Sequence, residues 1–212
     1  MNALLSKINW FGLAGGITTI IVVVVSLFYP WWQLTVGDDL LKANASPVNT
    51  NFGFLDTAFT IPLIWAFNIV SLLTLISSGV AMLVYSILPA KSYSKHLLGF
   101  GYKKPLFTLL FFVVGLVVIT LLLQVVLNFN VPLMGSATNT LPLPLGSDIT
   151  VSVFMSAGFQ WPFWLAIVAA GLCIGARFYH KKVAAAKQPT ETVAAAPPTS
   201  AAPATTAPTV AA

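Results

Sequence analysis

The residues able to do chemistry in this chain are few and scattered. Asp38 and Asp39 form a paired carboxylate, the kind of group that works as an acid–base couple or holds a divalent cation. A cation site asks for more oxygen donors at fixed spacing, so a polar surface turn is the expected role. His96 and His180 sit among lysines, one in a loop and one at a helix end. A haem ligand needs a buried axial position, which neither offers. Cys173 is the single cysteine, so no intramolecular disulfide is expected and a thiolate metal site would need other donors. The sequence contains no HExxH, CxxC, Gly-rich phosphate loop or GxSxG. No catalytic, cofactor or metal residues are therefore expected, and the chain is expected not to be an enzyme.

A second set of polar groups lies inside long apolar runs. Asn68, Ser71 and Thr74 share one run, and Gln124 is near the end of another. Asn68 and Gln124, the costliest to leave unpaired, are expected to face the bundle and bond to neighbouring helices or to water, each bond adding about 0.6–2 kcal/mol. Structural glue is the expected role. The alternative is that they line a small channel or facilitator for a neutral solute. Gly12 and Gly16 in the first run, and Gly171 and Gly175 in the last, have the four-residue spacing that lets helix backbones approach closely.

The elements that position these residues follow from composition. The chain is 58% hydrophobic and only 7% charged, where a soluble domain carries about 25% charged residues. A bilayer-spanning helix needs about 20 apolar residues. Four stretches qualify, at about 10–29, 61–88, 106–127 and 157–176, and none contains Asp, Glu, Lys, Arg or His. Proton pumps and ion-coupled carriers place such groups within the membrane, so neither class is expected. The first stretch is followed by Pro30-Trp31-Trp32 rather than a small-residue cleavage site, and is expected to remain as a helix. Pro62 and Pro105 are expected to open the second and third helices.

Charge sets the expected orientation. Lys7, Lys91, Lys95, Lys103, Lys104, Arg177, Lys181, Lys182 and Lys187 fall on one side of the spans, and only Lys42 on the other. Positive flanks stay cytoplasmic, so both termini of a multi-pass cell-membrane protein are expected inside. The basic side is expected to meet anionic headgroups rather than nucleic acid. Trp31, Trp32, Trp161 and Trp164 are expected as an outer aromatic belt. Trp10, Tyr85, Tyr102 and Tyr179 are expected as an inner one, with Trp65 in the core.

The outer loops, 30–60 and 128–160, are too long for simple turns. Period-two alternation predicts strands at 32–36 and 148–153, with a weaker third at 51–55. The expected fold is an all-α transmembrane four-helix bundle over residues 1–182, with a small extracellular β-sheet built from both outer loops. Residues 183–212, rich in Ala, Pro and Thr, are expected to be a disordered cytoplasmic tail. Phe54, Phe59 and Pro62 recur in type and spacing as Phe154, Phe159 and Pro162, which suggests two related halves. Asn44-Ala45-Ser46 is a candidate N-glycosylation site at Asn44.

Pro30-Trp31-Trp32-Gln33-Leu34 resembles the proline–tryptophan lead-in to the first outer strand of claudin and peripheral-myelin-type tetraspans. Asn51-Phe52-Gly53-Phe54-Leu55 falls where that family has a Gly-Leu-Trp motif, with Phe54 in the tryptophan place. The resemblance implies four spans, inside termini and an outer sheet; the family's paired outer cysteines are absent. The composition also resembles that of membrane proteins of thermoacidophilic archaea and their viruses. The expected function is that of a structural or interaction component, or an accessory subunit of a larger membrane complex, acting through the outer face. The expected partners are the lipid bilayer and other membrane proteins, in a homo- or hetero-oligomer.

Overall fold

The computed structural model describes residues 8–37, 40–55, 57–88, 93–142 and 150–186. Four helices cross its length: α1 (Trp10–Phe28), α2 (Pro62–Ile87), α3 (Ser94–Leu127) and α4 (Trp161–Ala186). All four are long and apolar enough to span a membrane. Between α1 and α2 the chain forms β1 (Trp32–Val36), β2 (Leu41–Ala45), β3 (Asn51–Phe54) and β4 (Thr57–Phe59). Between α3 and α4 it forms β5 (Gly135–Pro142) and β6 (Thr150–Phe159). These strands make one six-stranded antiparallel sheet in the order β4-β3-β2-β1-β6-β5. The fold is thus mixed helix and sheet rather than all-α. The alternation at β1, β3 and the start of β6 was visible in sequence. β2 reads Leu-Lys-Ala-Asn-Ala and β5 is mostly polar; neither has a β-branched apolar stripe, and both are recruited by pairing to neighbours.

The seam between the two loops is β1 against β6, with Trp32 opposite Phe159 and Val36 opposite Met155. Trp32, Leu34 and Val36 alternate inward and pack with Ala43, Met155 and Ala157 on Leu116 of α3 and on Val131. A one-residue slip would turn this whole set outward, so burial fixes the register. Every strand segment connects helix ends of one polarity: α1 and α3 run into the sheet, and α2 and α4 leave it. The sheet therefore occupies one end of the bundle.

Within the bundle α1 packs against both α2 and α4. Glycine lets it approach on two sides: a Cβ at Gly16 would lie 2.8 Å from Leu83 of α2, and one at Gly15 would lie 2.9 Å from the Cys173 sulfur of α4. At the sheet-distal end Asn9 caps α1. Its Oδ1 accepts from Gly12 N, and its Nδ2 donates to the Tyr85 hydroxyl and to Ala176 O.

Several sequence boundaries move. α3 begins at Ser94, so Pro105 lies inside the helix and is buried, and His96 is helical instead of in a loop. The reason is tertiary: Leu98 joins Met82, Tyr85 and Cys173 in a buried cluster, and Gly101 rests on Met82. α4 starts at Trp161 because residues 157–159 complete β6. The repeated Phe spacing does not repeat locally, since Phe54 and Phe59 lie on two strands and Phe154 and Phe159 on one. Trp31 and Trp32 are buried at 1% and 5% exposure and Tyr85 is fully buried, so these three are core residues and not a belt. Trp65, expected in the core, is exposed, as are Trp10, Trp161 and Trp164. Asp38, Asp39, Asp56, Asp148, Lys7, Lys91 and the tail beyond Ala186 lie outside the described residues.

Candidate interaction face and its anchor

The side of the sheet turned away from the core presents two rows set by strand register. One row runs Asn51, Asn44, Gln33, Gly158. The next runs Gly53, Lys42, Thr35, Ser156, Ser136. Amides and hydroxyls dominate, and the exposed ring of Phe154 stands on the same side, opposite Thr138. At the β3–β4 edge Leu41, Phe54, Leu55, Thr57 and Phe59 line an open groove of about 540 Å³. Among the described residues no three His, Cys, Asp or Glu side chains come together.

This face is held rigidly to the helices at two places. The first is Trp31. Its indole Nε1 donates to the Ser26 hydroxyl at 2.6 Å, and its ring meets Phe112 and Phe163 edge-on at 5.2 and 6.2 Å. Its backbone also bridges the two loops: N donates to Ala45 O, and O accepts from Gln160 N. The second is the turn between β2 and β3. Val48 inserts between Val23 of α1 and Leu75 of α2. Asn49 Nδ2 donates to Leu27 O at 2.9 Å, and the buried Ser46 hydroxyl pairs with Asn49.

Asn68, one of the intramembrane amides, belongs to this anchor. Oriented to suit its neighbours, its Nδ2 donates to Pro47 O at 3.3 Å and its Oδ1 accepts from Thr50 N at 2.7 Å. It thus ties α2 to the turn between β2 and β3, where the expected partners are another helix or water. Asn68→Leu leaves a buried amide N–H without a partner, which costs about 1–3 kcal/mol. A lower thermal midpoint in detergent is the expected result, and an unchanged midpoint would show that the tie contributes nothing.

The other expected residues divide. Gly12 and Gly16 lie at the α1–α2 contact, and a Cβ at Gly175 would lie 3.3 Å from Phe11. Gly171 is exposed, and among the described residues no atom lies within 4 Å of its Cβ position. Ser71 and Thr74 are half-buried. Gln124 is exposed on α3 rather than facing the bundle, because α3 turns most of its surface outward. These four polar residues do not converge on a common passage. The turn at 46–50 was missed in sequence, where Ser-Pro-Val-Asn-Thr reads as an ordinary polar loop.

Asn44 sits inside β2, and its Nδ2, the atom a glycan would take, donates to Asn51 Oδ1 at 3.1 Å. Ser46, the hydroxyl of the same tripeptide, is buried. Chain expressed in a glycosylating host is expected to show the unmodified mass at the Asn44 peptide; a glycan there would contradict this strand pairing. No protein-family model matches the chain, and no match emerges from a search of curated proteins.

Proposed function

We propose that this protein is a non-enzymatic, four-span membrane component that presents its sheet to other proteins, as a scaffold or an accessory subunit of a larger membrane complex. The observation that carries this reading is the double anchorage by Trp31 and by the Asn68-bound turn. It fixes a broad, largely uncharged face to the helix ends instead of leaving two mobile loops. A pre-organised surface loses little entropy on binding, which is what an interaction module requires. The lead-in Pro30-Trp31-Trp32 and a sheet drawn from both loops support a claudin-like architecture.

In this reading the sheet faces the outside and both termini are cytoplasmic. The support is the basic residues Lys95, Lys103, Lys104 and Arg177, all at the sheet-distal end, under the rule that positive flanks stay inside. A C-terminal tag is expected to react with antibody only after cells are permeabilised.

Site-specific photocrosslinkers test the function. Placed at Thr35 or Ser156 on the outward face, they are expected to give discrete protein adducts in the native membrane, and at the exposed, sheet-distal Phe178 they should not. Solute flux through liposomes holding only this chain, without adducts at the outward face, would overturn the proposal in favour of a facilitator.

A further inference from the structure

The sheet-distal end of α3 has features that neither the span nor the interaction face uses. At 34 residues α3 is about 51 Å long, well beyond the ~30 Å of a bilayer's hydrocarbon core. The excess is the segment from Ser94 to Lys104, which is amphipathic. Leu98 and Gly101 face Met82 of α2, while Lys95, Lys103 and Lys104 are exposed. Packing on one side therefore holds the cationic side in place at the end of the span.

The cations there have an unusual set of neighbours. Aromatic rings position two of them. The Arg177 guanidinium lies over the Tyr102 ring at 4.6 Å, and Lys104 Nζ lies over Phe100 at 5.5 Å. Cation–π contact fixes a guanidinium by its face and leaves its N–H edge available to an anion. Lys95 lies within electrostatic reach of His180, one turn beyond Arg177 on α4, so the α3 and α4 cations lie side by side at the same end of this helix pair. Lys95 and Lys103 are about two helical turns apart, about 12 Å along α3, with Lys95 nearly in line with Tyr102.

Directly along α3 from this cluster, Phe107, Leu110 and Phe111 are exposed. A soluble anion would use the cations and leave this apolar surface untouched. A molecule with a phosphate head and acyl chains uses both at once. We propose that Lys95, Lys103 and Arg177 seat the phosphate headgroup of an anionic phospholipid whose chains lie along Phe107, Leu110 and Phe111 of α3. The inference rests on the bilayer reading above and is independent of what the sheet binds.

Full-length protein in a non-ionic detergent is titrated with phosphatidylglycerol, with phosphatidylcholine and with inorganic phosphate, and the thermal midpoint and the lipid retained in native mass spectra are read. Phosphatidylglycerol is expected to raise the midpoint and to stay bound, and the other two to do neither. The exposed pair Lys103→Gln and Arg177→Gln is expected to weaken apparent phosphatidylglycerol affinity about thirtyfold, at about 1 kcal/mol per cation near a lipid surface. Arg177→Lys, which keeps the charge, should retain most of the binding. Equal stabilisation by phosphatidylcholine, or full affinity in the double glutamine variant, overturns the proposal. An equal effect of inorganic phosphate also overturns it, in favour of a free-anion site. A detergent-dependent protein indifferent to phosphatidylglycerol would sink this inference alone, whereas a monodisperse protein without detergent would remove the bilayer reading itself.

Discussion

Trp31→Ala is expected to destabilise the protein by about 3–5 kcal/mol, the range for emptying a large aromatic site in a core. The site cannot collapse easily, because three elements converge on it. Val22 comes from α1, Phe112 from α3 and Phe163 from α4, and the indole fills the space between them. Removal also takes away the donor to the Ser26 hydroxyl, which keeps only its own bond to Val22 O. The damage should be directional. Trp31 links Ala45 of the first loop to Gln160 of the second through its backbone, and its ring holds that link on the helices. Hydrogen exchange is therefore expected to rise in β1 and β6 before it rises in α1 and α2. Trp31→Phe keeps one aromatic ring in the site but loses the hydrogen bond and part of the indole volume, so it should cost more than the about 1 kcal/mol of the bond alone and less than alanine. Trp161, half-exposed on α4, supplies the contrast: its alanine variant should change exchange in the sheet little. If Trp31→Ala melted like Trp161→Ala, the sheet would not be anchored as described.

Gly15→Val is the second large effect, and it acts in the opposite sense, by adding volume where there is none. The first added carbon would fall 2.9 Å from the Cys173 sulfur and 3.0 Å from the Cys173 backbone nitrogen. A side chain could swing aside, but a backbone nitrogen within α4 moves only if the helix moves. Overpacking of this kind costs about 1–3 kcal/mol or more, and here it pushes apart the α1–α4 contact along with the Thr19–Cys173 contact at 3.8 Å. The chain carries its own reporter. Cys173 is the single cysteine and is fully buried, so a thiol-reactive dye labels it only when the bundle opens. Labelling of Gly15→Val in detergent should be faster and complete at a lower temperature than that of the parent. Gly171→Ala tests the same residue type where the Cβ meets nothing, and a change within about 0.5 kcal/mol is expected. Equal labelling rates for both variants would refute the close approach.

These two sites show where sequence reading stops. The four-residue spacing picks out Gly12 and Gly16, and Gly171 with Gly175, and does not pick out Gly15. Spacing tells which glycines share a helix face but not which face meets a neighbour. Trp31 follows a span, the place of an interfacial ring, and only the convergence of α1, α3 and α4 on it makes it core. Gln124 and Asn68 had equal standing as costly amides in apolar runs. The fold gives Asn68 two backbone partners in a turn far along the chain and leaves Gln124 on the outside of α3.

By itself the sequence determined the number and approximate place of the apolar helices, the sorting of charge between their ends, and a sheet drawn from both intervening loops. Those properties are local sums: hydropathy over twenty residues, alternation over five, charge counted per loop. The tertiary structure alone decided that β2, β4 and β5 are strands at all, and that α3 begins at Ser94, toward the sheet-distal end, instead of near 106. It also decided which amide, glycine and tryptophan hold the sheet to the bundle. Each of those outcomes depends on a partner distant in the chain, and a hydrogen bond or a packed ring has no energy until that partner is in place.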